Sequence, residues 1–314
     1  MPTTVAEQAI ASSMLHNSGM FLRKAAEEIA GHDDGRDVSF EVDRATLVTV
    51  LIQTAVELAA SAMVIRHDGL AGVMARNIPV TEAEIETRWR DGDIKTVPFE
   101  QIKARAQAFF GDADFWALVD IFQATRNSLV HFHRPIERDD LYDLKYEATH
   151  FLIQLIVALA GADDEDLPEG SASFLGKSLF ERLIGFEPYR YRIAQVARAI
   201  DPGVFDCMVC NIAAYSRDAE KCLGCGFDGE LQFLICPSCK ACALYYDYLN
   251  LPINAMLMAR CGKCGKEAMA AHCAICELDY AVAPGEHPKC PWADAHDELR
   301  DLQASGERAG KTFP

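Results

Sequence analysis

The first 206 residues of this 314-residue chain contain no cysteine, although twelve cysteines follow between Cys207 and Cys290. A disulfide framework or a thiolate metal site is thereby excluded from the N-terminal two thirds. Basic charge is also scarce. Lys and Arg total 30 against 47 Asp and Glu, a formal net charge of -17. Broad nonspecific affinity for nucleic acid needs many phosphate-neutralising cations, so that class is disfavoured, while a local basic site stays open. Long apolar runs are missing as well. The most apolar run, Phe151 to Ala160, is too short to cross a bilayer and contains Gln154. The opening MPTTVAEQAI lacks the basic stretch and apolar core of a secretory signal, so a cytoplasmic protein without membrane contact is expected. No low-complexity tract occurs, and before residue 200 no alternating strand pattern appears.

What is present before residue 200 is helical periodicity. Val5 to Ala30 repeats apolar residues at helical spacing and ends at Gly31. Asp43 suits the N-cap of a helix from Arg44 to His67, closed by Gly69. A polar stretch around Asn77 to Thr96 holds a short helix over Glu82 to Arg90, and Pro98 opens another reaching Phe110. Asp112 or Asp114 caps the next, whose apolar face is Phe115, Leu118, Val119 and Phe122; it reaches the His131 region and stops at Pro135. Arg138 to Leu159 completes an all-α bundle over residues 1–161. Residues 162–200 read as an acidic linker (Gly161 to Ser173) followed by connector helices over Phe174 to Ile184 and Arg190 to Ile200. Residues 201–296 are turn-rich and form a small metal-bound domain with short β-hairpins, and 297–314 are a tail with a short helix at most.

Ten of the cysteines form five C-x-x-C pairs: Cys207/Cys210, Cys222/Cys225, Cys236/Cys239, Cys261/Cys264 and Cys273/Cys276. This spacing puts two thiolates on one tight turn, where both reach a tetrahedral Zn²⁺, and two such turns close a site. In a reducing compartment clustered cysteines serve as metal ligands more often than as disulfides. Glycine after the second cysteine, as at Gly226 and Gly265, suits such a turn. Pairing in sequence order gives Cys207, Cys210, Cys222 and Cys225 for one ion, then Cys236, Cys239, Cys261 and Cys264 for another. Cys273 and Cys276 with His287 and Cys290 make a third, leaving Cys242 spare. An alternative joins Cys222/Cys225 to Cys236/Cys239 and Cys261/Cys264 to Cys273/Cys276, leaving Cys207, Cys210, Cys242 and Cys290. Spacing does not decide between them. Either way about three structural Zn²⁺ per chain are expected, and closed sites lack the open position that catalysis at zinc requires. Lys221, Lys240, Arg260, Lys263 and Lys266 with Tyr245, Tyr246 and Tyr248 offer a surface for stacking on nucleic acid; the tyrosines serve equally well as core.

Near the end of the helix that contains Trp116 stands Arg126-Asn127-Ser128-Leu129-Val130-His131. On an ideal helix, residues five apart point about 140° from each other, whereas Asn127 and His131 share a face. Arg126 and His131 therefore meet only in a distorted last turn or across two copies of the helix. A histidine near a helix C-terminus also feels the negative end of the dipole, which favours its charged form. The plain alternative is that Arg126 pairs with a local acid such as Asp120 and that His131 is an ordinary interhelical residue. His16, His67 and His150 read as ordinary surface or core residues.

This motif, over residues 1–161, resembles the HEPN superfamily, whose nuclease members carry R-N-x-x-x-H in this place; His133 matches a longer spacing of the same pattern. Glu57-Leu58 in the helix ending at His67-Asp68-Gly69 looks like the acidic helix of many HEPN domains, but Ser61 stands where several members have a basic residue, which weakens an accessory role for Glu57. The resemblance implies a homodimer with both motifs in one cleft, acting as a metal-independent endoribonuclease. It implies that the 2′-OH attacks the adjacent phosphorus, with His131 moving protons, Arg126 holding the phosphate and Asn127 orienting His131. It further implies a toxin or antiviral defence effector, with RNA as substrate and an antitoxin or other regulatory protein as partner. The rival reading is a noncatalytic dimerisation scaffold whose zinc ribbons bind a protein or nucleic acid.

Overall fold

The computed structural model describes residues 3–31, 40–75, 81–132, 138–160, 170–216, 218–229, 231–247, 256–283, 285–286 and 289–293, without the side chains of 128–132, 138, 139 and 247. About 56% of the described residues are helical, in nine α-helices followed by a strand-rich region. It divides into two compact units. One comprises Met1–Pro202, Cys207–Ala214 and Cys222–Phe227; the other comprises Gly203–Asp206, Tyr215–Lys221 and Asp228–Pro314.

The helical unit is built on α1 (Val5–Ala30) and α2 (Val42–Asp68). Thr4 and Glu7 form a reciprocal capping box at the start of α1: the Thr4 hydroxyl accepts from the Glu7 amide at 3.2 Å and the Glu7 carboxylate accepts from the Thr4 amide at 2.9 Å. The same carboxylate also accepts from the Leu70 amide at 2.7 Å, tying α1 to the turn after α2. Burial pushes the Glu7 carboxyl up, but the backbone bonds from Thr4 and Leu70 outweigh it and hold it below the usual range. Gly69 ends α2 at φ 74°, and a Cβ there would stand 2.9 Å from a Glu7 oxygen. Alanines at 11, 25, 26, 45, 55, 59 and 62 are fully buried, letting the helices approach closely, and the Ser18 hydroxyl donates to the Ala55 carbonyl at 2.8 Å.

Asp43 lies in the first turn of α2, and the N-cap is Glu41, whose side chain makes no capping bond. Among the described residues α2, rather than the Phe151 segment, is the helix long and apolar enough to cross a membrane by length and composition, and 72% of its most apolar window is buried inside the protein. It packs against α1, α4 (Phe99–Ala106), α5 (Ala113–Phe132) and α6 (Arg138–Ala160). α3 spans Glu82–Arg90 as its sequence predicts. The α4 helix ends at Ala106, short of Phe110, and the Asp112 carboxylate caps α5 by accepting from the Phe115 amide at 2.8 Å. Phe110, Phe115, Trp116, Phe122 and Phe151 fill the space between α5 and α6, and the Trp116 indole donates to the Phe110 carbonyl at 2.6 Å. Leu118 is only half-buried. The expected single helix over Phe174 to Ile184 is two, α7 (Ser171–Leu175) and α8 (Lys177–Ile184), because Gly176 takes φ 79° between them. α9 spans Glu187–Ile200 with proline in its first turn. Pro135, most of the 161–173 linker and the tail lie outside the described residues.

The short strands β1 (Phe205–Asp206), β2 (Ala213–Ser216) and β3 (Lys221–Cys222) precede an antiparallel meander. The meander runs through β4 (Leu231–Ile235), β5 (Cys242–Asp247), β6 (Met256–Cys261), β7 (Glu267–His272) and β8 (Asp279–Val282). Each strand pairs with the next, and the sheet curls so that β8 approaches β4. Its core is Leu244, Tyr246, Ala259, Ala268 and Ala270, with a second cluster of Tyr280, Val282 and Trp292 around Cys273 and Cys290. Phe205 packs on Phe233 and Tyr245 and so closely on Gly262 that a Cβ there would meet its ring at 2.0 Å. Tyr245 and Tyr246 are 1% exposed, so of the two readings of the tyrosine run they are core; Tyr248 lies outside the described residues.

One buried histidine carries a pH consequence. His150 on α6 stacks on Tyr146 and leans on Tyr189 of α9, and its buried Nδ1 has no hydrogen-bond partner. Burial pushes its pKa down to about 4. The unfolded chain therefore takes up a proton near pH 6.5 that the folded chain refuses until about pH 4. Stability from this group is complete above pH 6.5 and is lost as pH falls toward 4, by at most about 3 kcal/mol, since part of the ring keeps solvent contact. Urea unfolding between pH 7 and 4.5 should show that loss in the natural chain and a clearly smaller one in His150→Gln.

Candidate metal centres and candidate active site

All five C-x-x-C turns share one backbone. The residue after the second cysteine takes a left-handed conformation each time: Asn211 at φ 53°, Gly226 at 75°, Lys240 at 58°, Gly265 at 70° and Glu277 at 56°. Its amide donates to the carbonyl of the first cysteine at 2.8–2.9 Å in every case. The first cysteine's amide donates in turn to the carbonyl five residues on: Ile212, Phe227, Ala241, Lys266 and Leu278. Amides inside the turn also point at sulfur, as from Val209 to Cys207 Sγ at 3.4 Å and Gly224 to Cys222 Sγ at 3.3 Å. Two sulfurs are thus aimed at one point, with their charge met by backbone donors.

The turns converge in sequence order. Cys207, Cys210, Cys222 and Cys225 form one group, Cys236, Cys239, Cys261 and Cys264 a second, and Cys273, Cys276 and Cys290 a third, with ligand atoms in each group within 4.8 Å of one another. The alternative pairing does not occur. The sheet explains the second group: the β4–β5 and β6–β7 turns lie at the same end of a meander, and the β7–β8 turn lies at the other. Sulfur–sulfur distances are 3.6 Å for Cys207–Cys225 and Cys210–Cys222, 3.8 Å for Cys236–Cys264, and 3.6 Å for Cys239–Cys261 and Cys276–Cys290. A disulfide needs about 2.05 Å. A tetrahedral metal–thiolate site with bonds near 2.3 Å has edges of about 3.8 Å. The residues present therefore fit a tetrahedral ion. His287 lies outside the described residues, and Cys242 is exposed and belongs to no group.

Four sulfurs this close cannot all ionise without a cation between them. In the first group, hydrogen bonds from Cys210, Cys222 and Cys225 hold the Cys207 thiol far below its usual value, while the proximity of Cys207 and the other sulfurs pushes Cys210 and Cys225 far up. In the second group burial pushes the Cys236 thiol up, but the Cys239 and Ser238 amides bring it down to about 7. Burial pushes Cys261 up to about 11 and Cys290 up to about 12. A divalent ion relieves this by replacing the protons.

The first group differs in its surroundings, which the sequence pattern did not reveal. Its four cysteines belong to the helical unit. The Tyr189 hydroxyl of α9 donates to the Gly224 carbonyl at 2.5 Å, and burial pushes that phenol well above its usual pKa, which keeps it a donor. The Ser171 hydroxyl of α7 donates to the Cys225 carbonyl at 2.7 Å. Sequence reasoning also passed over His272, whose Nδ1 lies 2.7 Å from Asp279; the other Asp279 oxygen accepts from the Tyr246 hydroxyl inside the sheet.

In the helical unit α5 carries Arg126, Asn127 and His131. Arg126 Nη1 donates to Asn127 Oδ1 at 2.9 Å, and the buried Arg126 Nε has no partner. Asp120 does not hold Arg126: it pairs with the buried Lys103 of α4. The His131 side chain and all of His133 lie outside the described residues. Glu57 is exposed on α2 and accepts from Gln53 Nε2 at 2.9 Å, while Ser61 donates to the Glu57 carbonyl at 2.7 Å. Comparison with family models, curated proteins and solved structures finds no match to this chain.

Left-handed backbone disfavours side chains with a Cβ by roughly 1 kcal/mol. Glu277→Gly and Lys240→Gly should therefore each raise stability by up to about 1 kcal/mol, read as a higher midpoint in thermal melts of the metal-loaded chain. Gly226→Ala should do the opposite by more than about 2 kcal/mol, because its Cβ would fall 2.0 Å from Val157 as well as adopting φ 75°.

Proposed function

We propose that this chain is a zinc-stapled endoribonuclease of the HEPN type, working as a homodimer in the cytoplasm with RNA as substrate. Zinc is the ion that closed tetrahedral sites of thiolates, alone or with one histidine, favour. With four protein ligands around it such an ion has no vacant position, so its contribution is structural. His287 supplies the fourth ligand of the third site in this reading, giving three Zn²⁺ per chain.

The cleavage reading is carried by one observation: Arg126 has no carboxylate partner among the described residues, and its buried Nε is unpaired. In a chain of net charge -17, a guanidinium left without an acid is suited to an anion, here the scissile phosphate. Asn127 orients it. His131 accepts the proton of the ribose 2′-OH as that oxygen bonds to phosphorus. The bond from phosphorus to the 5′-oxygen breaks, that oxygen takes up a proton, and the products are a 2′,3′-cyclic phosphate and a 5′-hydroxyl end. DNA lacks the attacking hydroxyl and is spared. Since residues five apart on α5 diverge by about 140°, Arg126 of one protomer works with His131 of its partner. Toxin or antiviral defence action, restrained by an antitoxin or regulator, is the role that this chemistry suits.

Purified protein incubated with total RNA under brief chelation should leave cyclic-phosphate ends, and Arg126→Ala and His131→Ala should each lose that activity by at least about a hundredfold. Equal background in all three proteins sinks the nuclease and leaves the dimerisation scaffold. Metal analysis by mass spectrometry should return about three zinc per chain; a value near two removes His287 and the third site.

A further inference from the structure

Two of the three thiolate groups close turns of the curled sheet. The first is gripped by helices. Two consecutive residues of α9 reach its two turns separately: Tyr189 donates to Gly224, inside the Cys222/Cys225 turn, while Arg190 donates through Nη1 to Cys210 at 3.2 Å and through Nη2 to Asn211 at 2.8 Å, at the end of the Cys207/Cys210 turn. Ser171, the first residue of α7, donates to Cys225. Val157, near the end of α6, lies against Gly226. These acceptors are all backbone carbonyls of the turns. They stand in register with α9 only while the two turns are held together, and one ion shared by all four sulfurs would tie the turns to each other.

The seam above this contact is aromatic. Tyr189 is fully buried and its ring packs on Tyr146 and His150 of α6, at 5.8 and 6.4 Å between centroids. Ile193 and Ala197 continue the buried face of α9. The groups also differ in access. Cys207, Cys210, Cys222 and Cys225 are 1–2% exposed, whereas Cys264 is exposed and Cys239 and Cys276 are partly so.

We propose that the metal in the first group is a latch for α9 and α7. Its binding and the docking of those helices on α6 form one cooperative event, while the other two ions are held by the sheet unit and exchange without disturbing the helices. The helical unit is thereby responsive to metal supply through one site of the three. This latch rests on the metal-binding part of the proposed function and is independent of RNA cleavage.

The test uses the full-length, zinc-loaded chain. A chromogenic chelator follows zinc release while urea is raised until all metal is freed, and hydrogen exchange of the segment 187–200 is read in parallel. About two equivalents should leave early with α9 protection intact. The last should leave slowly, in step with the loss of that protection. Tyr189→Phe, which removes one hydroxyl and keeps the ring, should speed only the slow phase, by roughly tenfold. Cys261→Ser should cost one early equivalent and leave α9 protected. Release of all three in a single phase, departure of the slow equivalent with α9 still protected, or an unchanged slow phase in Tyr189→Phe each overturns the latch. A purified chain that binds no zinc, before any chelator is added, overturns the metal reading and the latch with it.

Discussion

Eleven sulfurs gathered into three groups, each spanning no more than 4.8 Å, place a charge condition on the whole C-terminal part of this protein. Thiolates at that spacing repel one another, and burial sharpens the repulsion by lowering the local dielectric. The apo groups can only share protons, as the opposed pKa shifts of Cys207 and Cys225 display. A divalent ion converts the same geometry from a cost into a source of folding energy, on the order of 10 kcal/mol per structural site. The region needs that contribution. The core of the sheet is largely alanine, with Leu244 and Tyr246 among its few large side chains.

The helical unit solves its packing by different means. Its central helix, α2, is buried among α1, α4, α5 and α6 and depends on close approach of small side chains. Polar stitches sit at its ends: the Glu7 carboxylate serves the start of α1 and the turn after α2 together. Beyond α6, α7 and α9 bear on the first pair of cysteine turns, whose four sulfurs could hold a metal ion.

What could be read directly from the sequence was whatever is local. The α1 and α3 ranges follow from apolar spacing and caps, and the five turns follow from the C-x-x-C repeat, because each requires only a few neighbouring residues. Errors arose where two local signals competed. Asp43 resembles a cap but lies inside α2, and Gly176 divides what spacing alone presents as one helix. The grouping of thiols was illegible for another reason: it depends on which turns share an end of the sheet, a property of topology. The attachment of the first group to α9 was illegible too. Tyr189 and Gly224 are 35 residues apart, and no short pattern joins them. The Arg126 site falls between these cases. Its motif is local, and the relief of Arg126 from Asp120 by Lys103 is not.

The membership of residues 207–214 and 222–227 in the helical unit bears on how such a protein can be taken apart, in the laboratory or in evolution. A cut near residue 201, where cysteines begin and composition changes, looks like a domain border. It would in fact strip α9 of the carbonyls that receive Tyr189 and Arg190. The buried Tyr189 hydroxyl would be left without its acceptor. The cysteine-rich segment is therefore no cassette that can be moved whole between hosts. Residues 207–214 and 222–227 are part of the helical unit's own masonry, whereas 203–206, 215–221 and the portion after residue 228 belong to the sheet unit.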